Sequence, residues 1–303
     1  MSKKLLLGII IILLITNIAM ILVWSNNEQI DVKNDGVKRK FSNKEVVATV
    51  NGEDITFQKW YDALKNTYGE EKLKEMIDRI LVQQLAEKKG ITINDKVIER
   101  EISLLLAMQG VLSSSEYKEL EADWEDDIRY RYQLQMLLTE DVPVSEAKLK
   151  EYHARYGKHY NFTSSMQLSH IVVKDKKTAE KIYKELESGA SFSLLAQEYS
   201  LDEETKSEGG YLGFISIESQ FFPKGYVEIA TKMNEHSYSK PFKADNGVAI
   251  LYLHRKLPSI TFTYEEIKPY IKSELALNEK NQSLDADSLW EKQDIKWIYE
   301  KLE

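Results

Sequence analysis

Met166-Gln-Leu-Ser-His170-Ile-Val-Val173 alternates polar and apolar residues before ending in an apolar run, the pattern of a strand with one histidine in it. A helix follows, Thr178-Ala-Glu-Lys-Ile-Tyr-Lys-Glu-Leu-Glu187, stopped by Gly189. A second short helix, Phe192-Ser-Leu-Leu-Ala-Gln-Glu-Tyr199, leads into Ser200-Leu-Asp202. Gly209-Gly-Tyr-Leu-Gly-Phe214 comes next, and Asn246-Gly-Val-Ala-Ile-Leu-Tyr-Leu253 closes the segment as another strand. Strand, helix, helix, glycine turn and strand within about ninety residues describe a small α+β unit.

Upstream, Val46-Val-Ala-Thr-Val-Asn51-Gly52-Glu-Asp-Ile-Thr56 places an Asn-Gly pair inside apolar alternation, the mark of a tight hairpin. Lys74–Lys89 carries Met76, Ile77, Ile80, Leu81 and Leu85 on one helical face and stops at Gly90. Thr92 or Asn94 can cap the next helix, which carries Val97, Ile98, Ile102 and Leu105. A third helix starts after Ser113-Ser-Ser115 and spaces Tyr117, Leu120, Trp124, Ile128 and Leu134 at helical intervals. Downstream, Ser259–Glu303 is too short to bury a core of its own, yet it holds Ile267, Tyr270, Ile271, Leu289, Trp290 and Trp297. That apolar tail needs a surface elsewhere, and the upstream helices offer one.

The 303-residue length allows about two domains. Hydrophobic content of 43% with 30% charged residues is globular. A net charge of −8 without a concentrated basic face argues against nucleic acid. The absence of cysteine excludes disulfides, cysteine-zinc sites, thiol nucleophiles and a lipidated cysteine. Leu5 to Trp24 is a charge-free run long enough to cross a hydrocarbon core about 30 Å thick. It exceeds a signal-peptide core and Met20-Ile-Leu-Val-Trp24 offers no small-residue cleavage site. Lys3 and Lys4 favour a cytoplasmic N-terminus. These features predict a single-pass cell-membrane protein with its bulk outside. Residues 1–4 are then cytoplasmic, 5–24 form the transmembrane helix, and the polar stretch 25–43 is a tether.

The order and motifs of Met166–Arg255 resemble the parvulin family of peptidyl-prolyl cis-trans isomerases. The hairpin and amphipathic helix from Val47 are similar to the N-terminal chaperone domain of the PrsA and SurA foldases. The resemblance implies a mainly helical chaperone lobe, residues 44–165 completed by 257–303, with a parvulin domain at 166–256 inserted between its halves. That domain is expected to be a small antiparallel sheet with surrounding helices. The implied partners are unfolded or partly folded exported polypeptides, and no cofactor or metal is implied. Position by position, His170 matches the first histidine of the family and Asp202 the position that carries Asp or Cys. Leu212 falls in the G-x-L-G motif, Phe221 matches an apolar position after a glutamine, and Tyr226 a downstream aromatic. His170 and Asp202 are thus the candidate catalytic pair, and Leu212, Phe221 and Tyr226 the candidate proline pocket.

The chain also departs from the family. Many PrsA-type proteins hang from a lipidated cysteine, which is missing here. The closing strand usually reads G-x-H, whereas here it reads Gly247-Val248-Ala249, so the second histidine is replaced by Ala249. His254 lies an odd number of residues away and faces the other side of a regular strand. The basic loop of phosphate-directed parvulins is short here, Lys174-Asp-Lys-Lys177, which argues against phosphoserine-proline substrates. Two roles therefore compete: an isomerase working through His170 and Asp202, and a non-catalytic chaperone in which His170 holds the sheet and Asp202 shapes a loop. A scaffold for cell-wall machinery is a third, resting on the anchor alone.

Overall fold

The computed structural model describes residues 29–34, 37–219, 223, 225–280, 283–291 and 293–299. They divide into two compact units, one running to Asp78 and including Ile295 onward, the other from Arg79 to Asp294. The membrane run Leu5–Trp24 lies outside the described residues. Among the described residues no helix is long and apolar enough to cross a membrane.

In the first unit, β1 (Gln29–Asn34) and β2 (Val37–Ser42) pair antiparallel within the stretch read as a tether. Ile30 and Val32 alternate over only two places, too short a pattern to read as a strand. The Asn-Gly hairpin is formed by β3 (Val46–Val50) and β4 (Glu53–Thr56). Asn51 (φ 51°) and Gly52 (φ 89°) supply the left-handed turn. Helix α1 (Phe57–Lys89) begins at once, well before the apolar face expected from Lys74. Its first turn is held by rings: Phe57 is buried, edge-on to Trp60 and stacked on Tyr61.

In the second unit, α2 (Asp95–Ala107) is capped by Asn94, whose side chain accepts from the Lys96 amide at 2.9 Å. Helix α3 (Ser114–Leu138) opens with a reciprocal capping box between Ser113 and Glu116, and α4 (Glu146–Tyr156) is capped by Ser145. The sheet elements follow in order: β5 (Ser165–Val173), α5 (Lys176–Glu187), α6 (Phe192–Tyr199), β6 (Tyr211–Ser216), α7 (Tyr226–Lys232), β7 (Ser237–Tyr238), β8 (Phe242–Ala244) and β9 (Gly247–Leu257). Helices α8 (Tyr264–Lys280) and α9 (Asp287–Trp290) end the unit. The apolar tail finds its surface on the helices. Ile267 and Ile271 bury against Leu149 of α4, and Tyr270 joins Val97, Ile98 and Ile128. The Tyr270 hydroxyl also accepts from the Asn94 amide at 2.8 Å, at the cap of α2.

The sheet is antiparallel, ordered β6-β5-β9-β7, with β8 also on β9. Because side chains alternate across a strand, β5 serves two cores at once. Leu168 and Val172 face Ala249, Leu251 and Leu253, with Tyr226 and Ala230 of α7 laid over them. Ile171 and Val173 join Ile250 on the reverse side, under Ala179 and Ile182 of α5 and Leu195 of α6. Past Ser169 the edge of β5 pairs with loops instead of β6. There the His170 amide donates to Gly210 O (2.8 Å), and the Leu201 amide donates to Val172 O (2.8 Å). This edge pairing brings the loop carrying Asp202 alongside His170.

Candidate active site

His170 is 5% exposed, on the face of β5 that α7 covers. Its Nε2 lies 2.6 Å from Asp202 Oδ2 and 3.1 Å from Thr205 Oγ1, while its Nδ1 lies 2.8 Å from the Tyr226 hydroxyl. Thr205 Oγ1 donates to Asp202 Oδ2 at 2.7 Å, and Asp202 Oδ1 accepts from the Glu204 amide. Asp202 therefore closes its own loop and holds the histidine with the same carboxylate. The one side chain shapes the turn and touches His170 at the same time.

Burial pushes the His170 imidazole below its ordinary value, although the Asp202 hydrogen bond and charge pull the other way. Burial likewise works to raise Asp202, but hydrogen bonds from Thr205 and His170 outweigh it and hold the carboxyl below the usual range. At neutral pH the pair is thus a neutral imidazole beside a carboxylate. Burial and the nearby charges of Asp202 and Asp245 raise the Tyr226 phenol, so its proton stays in place.

A cavity of about 580 Å³ opens on this network. Val172, Leu201, Leu212, Ile215, Pro223 and Tyr226 give it apolar walls, and Asp202, Asp245 and Asn246 line its polar part. The structure brings His170, Asp202, Leu212 and Tyr226 together at this cavity. Phe221 lies outside the described residues. Sequence reading missed Thr205, whose place three residues after Asp202 is the only signal for its bond. It also placed Tyr226 only as an apolar wall and did not foresee that the hydroxyl reaches His170. Among the described residues no group of three or more His, Cys, Asp or Glu is placed to hold a metal.

His254 sits on the opposite face of the sheet, its Nε2 2.8 Å from Ser169 Oγ and its ring packed on Tyr252. Burial pushes its imidazole from 6.5 down to about 4. A folded pKa below the unfolded one means that the unfolded chain binds the extra proton. Stability is then full above about pH 6.5 and erodes as pH falls toward 4. At ~1.4 kcal/mol per unit, and discounting for partial solvation, His254 is expected to account for on the order of 1–3 kcal/mol of that loss. Urea unfolding at pH 7 and pH 4.5 should show a smaller pH dependence in His254→Gln than in wild type. An equal dependence in the two proteins would remove His254 from the account.

A small antiparallel sheet with helices on both faces, and a His–Asp pair over an apolar cleft, define a parvulin-type isomerase domain. The Rotamase family, described as the PPIC-type PPIASE domain, matches residues 171–255, beginning one residue after His170. YacD of Bacillus subtilis is 34% identical over 259 residues, spanning 85% of this chain and 87% of that protein. The foldase protein PrsA of Geobacillus kaustophilus is 32% identical over 254 residues, 82% of each chain. A crystal structure of PrsA from Bacillus subtilis aligns over 86% of this chain and 96% of its own, with 26% identity and a TM-score of 0.33. On the sequence relationships, the chain belongs to the PrsA-like foldase family and is a peptidyl-prolyl cis-trans isomerase of the parvulin type.

Proposed function

We propose that this chain is a membrane-anchored extracytoplasmic foldase that turns Xaa-Pro bonds in unfolded or partly folded exported polypeptides, with a weakened isomerase site. The observation that carries the reading is the single cleft holding His170, Asp202, Leu212 and Tyr226. Turning an Xaa-Pro bond breaks nothing. The obstacle is amide resonance, a barrier of roughly 18–20 kcal/mol that unaided takes tens to hundreds of seconds. Leu212 and the Tyr226 ring receive the proline, and Phe221 is assigned to the same wall from its sequence position. His170 and Asp202 meet the changed charge distribution at the twisting carbonyl and nitrogen. The reading needs no cofactor.

Asp202 and Asp245 line the cleft, and no Lys or Arg does among the described residues. A phosphate or carboxylate beside the proline is therefore repelled, and unphosphorylated peptides are the substrate class. In this reading the helices of 44–165 and 257–303 form the chaperone lobe, with the isomerase domain of 166–256 inserted. Support comes from α8 packing on α3 and α4. The anchor rests on the charge-free run at Leu5–Trp24 and on Lys3 and Lys4. External protease on intact cells should remove the bulk of the chain while a tag ahead of Lys3 stays protected. A protected C-terminal tag overturns the topology.

Ala249 favours a second reading, a non-catalytic chaperone that only binds extended chains. At 0% exposure it contributes no polar group where the parvulin resemblance implies a histidine. Exchange measured by NMR on an unphosphorylated proline peptide, beside an aggregation assay, separates the two. Catalysis together with suppressed aggregation supports the foldase. Suppressed aggregation with no acceleration leaves the chaperone.

A further inference from the structure

Position 249 is alanine, fully buried on the same sheet face as His170, opposite Val172 in the register of β5 and β9. Tyr226 belongs to the same buried cluster and is only 1% exposed. Its ring stands edge-on between His170 (5.8 Å) and Phe242 (5.6 Å). The turn ahead of α7 fixes the ring's approach, with the Tyr226 amide donating to Pro223 O at 3.1 Å. A phenol thus arrives from helix α7 at Nδ1 of His170.

The protons in this network can be assigned by counting donors and acceptors. Thr205 spends its hydroxyl hydrogen on Asp202 Oδ2. The other close neighbour of that oxygen is His170 Nε2, so Nε2 carries the hydrogen of the neutral imidazole. Nδ1 is then a bare lone pair, and the Tyr226 hydroxyl donates to it. One line of hydrogen bonds runs Tyr226, His170, Asp202, with Thr205 closing the far end.

Resting on the isomerase reading above, we propose that Tyr226 is the positioning residue for His170, its hydroxyl reaching the imidazole from helix α7 at 2.8 Å. It fixes the ring plane of the imidazole toward the cleft through Nδ1, while Asp202 sets the Nε2–H tautomer. Tyr226→Phe, which removes one oxygen and keeps the wall of the cleft, separates the positioning role from the wall role.

The test uses the full-length chain, labelled with ¹⁵N at its five histidines, the His170 signals assigned through His170→Gln. Wild type should show a neutral Nε2–H tautomer with Nδ1 shifted by an accepted hydrogen bond. In Tyr226→Phe the Nδ1 signal should move to that of a free acceptor. Removing a donor to the neutral form favours the charged form, so the acid limb of the pH–rate profile should move to higher pH. The other polar groups facing the pair, Asp202, Thr205, Asp245 and Asn246, are unchanged in this variant. Turnover should fall roughly three- to tenfold with KM nearly constant, the scale of one hydrogen bond felt in the transition state.

An Nδ1–H tautomer in wild type overturns the proposal, and that measurement stands even if the variant does not fold. Unchanged His170 signals and rate in a folded Tyr226→Phe also overturn it. Wild type without any isomerisation, but with the expected tautomer and with the hydrogen bond at Nδ1 lost in Tyr226→Phe, retains the positioning contact and refutes the isomerase reading instead.

Discussion

Gly210→Val is expected to abolish the folded isomerase sheet. Gly210 has φ +77°, and a Cβ there lies 2.0 Å from the carbonyl oxygen of His170. That carbonyl belongs to the residue whose amide donates to Gly210 O, so the clash falls on the pairing that replaces β6 along this edge. Two costs add: the left-handed strain of a β-branched residue, about 1–2 kcal/mol, and displacement of backbone that has nowhere to move. A loss of about 3 kcal/mol or more is expected, a large part of a domain's usual margin. Gly189→Ala is the control. Gly189 also has positive φ (+91°), but nothing lies within 4 Å of its added Cβ, so it pays strain alone. Urea unfolding of the two variants should separate them clearly. Equal midpoints would mean that the approach of Gly210 to His170 carries no energetic weight.

The glycine pair ahead of Tyr211 was legible in the sequence as a motif, but the reason for it was not. A contact with the backbone of His170, forty residues earlier, leaves no local pattern. Two elements with strong local signals are where the sequence placed them. Helix α6 spans Phe192–Tyr199 as read, and the hairpin turns at Asn51-Gly52. Other elements escaped because their stabilisation is tertiary. Strands β7 and β8, of two and three residues, exist only as partners of β9 and are too short to alternate. Helix α8 carries Pro269 inside it, a residue that argues against a helix interior locally. Its buried face, Ile267, Tyr270 and Ile271, outweighs that signal.

The site divides in the same way. His170, Asp202, Leu212 and Tyr226 could be found because each sits in a motif with an identifiable type and spacing. Thr205 and the hydroxyl of Tyr226 could not, because a hydrogen bond from α7 to β5 depends on how an α-helix settles over a sheet. A linear reading registers the loss of a histidine at position 249. It cannot register that the Nδ1 side of His170 meets a hydroxyl from another element.

Asp202→Asn is expected to lower isomerisation ten- to a hundredfold while leaving the fold intact. The exchange keeps the shape of the side chain and removes its charge. Asp202 accepts from both Thr205 and His170 at Oδ2, and from the Glu204 amide at Oδ1. An asparagine cannot accept at both positions: whichever way the amide turns, its NH₂ faces a donor. If the NH₂ faces His170, the imidazole must move its proton to Nδ1, and the Tyr226 hydroxyl must reverse to accept it. The polar field on the cleft side of the ring is then both weaker and differently directed. A loss of one to two powers of ten corresponds to about 1.4–2.8 kcal/mol of transition-state stabilisation. The pH dependence supplies an independent check. Asp202 is held below the ordinary carboxylate range and His170 below the ordinary imidazole value, so the working state is neutral histidine with ionised aspartate. Wild-type activity should stay level from pH 8 down to about 6.5 and fall only below it, as His170 takes up a proton. Without the carboxylate that favours the imidazolium, Asp202→Asn should carry that acid limb to still lower pH, on a much reduced rate. Rates on an unphosphorylated Xaa-Pro peptide across pH 5 to 8 read both effects together. A folded Asp202→Asn with wild-type rate would place the catalytic contribution outside the His170–Asp202 pair.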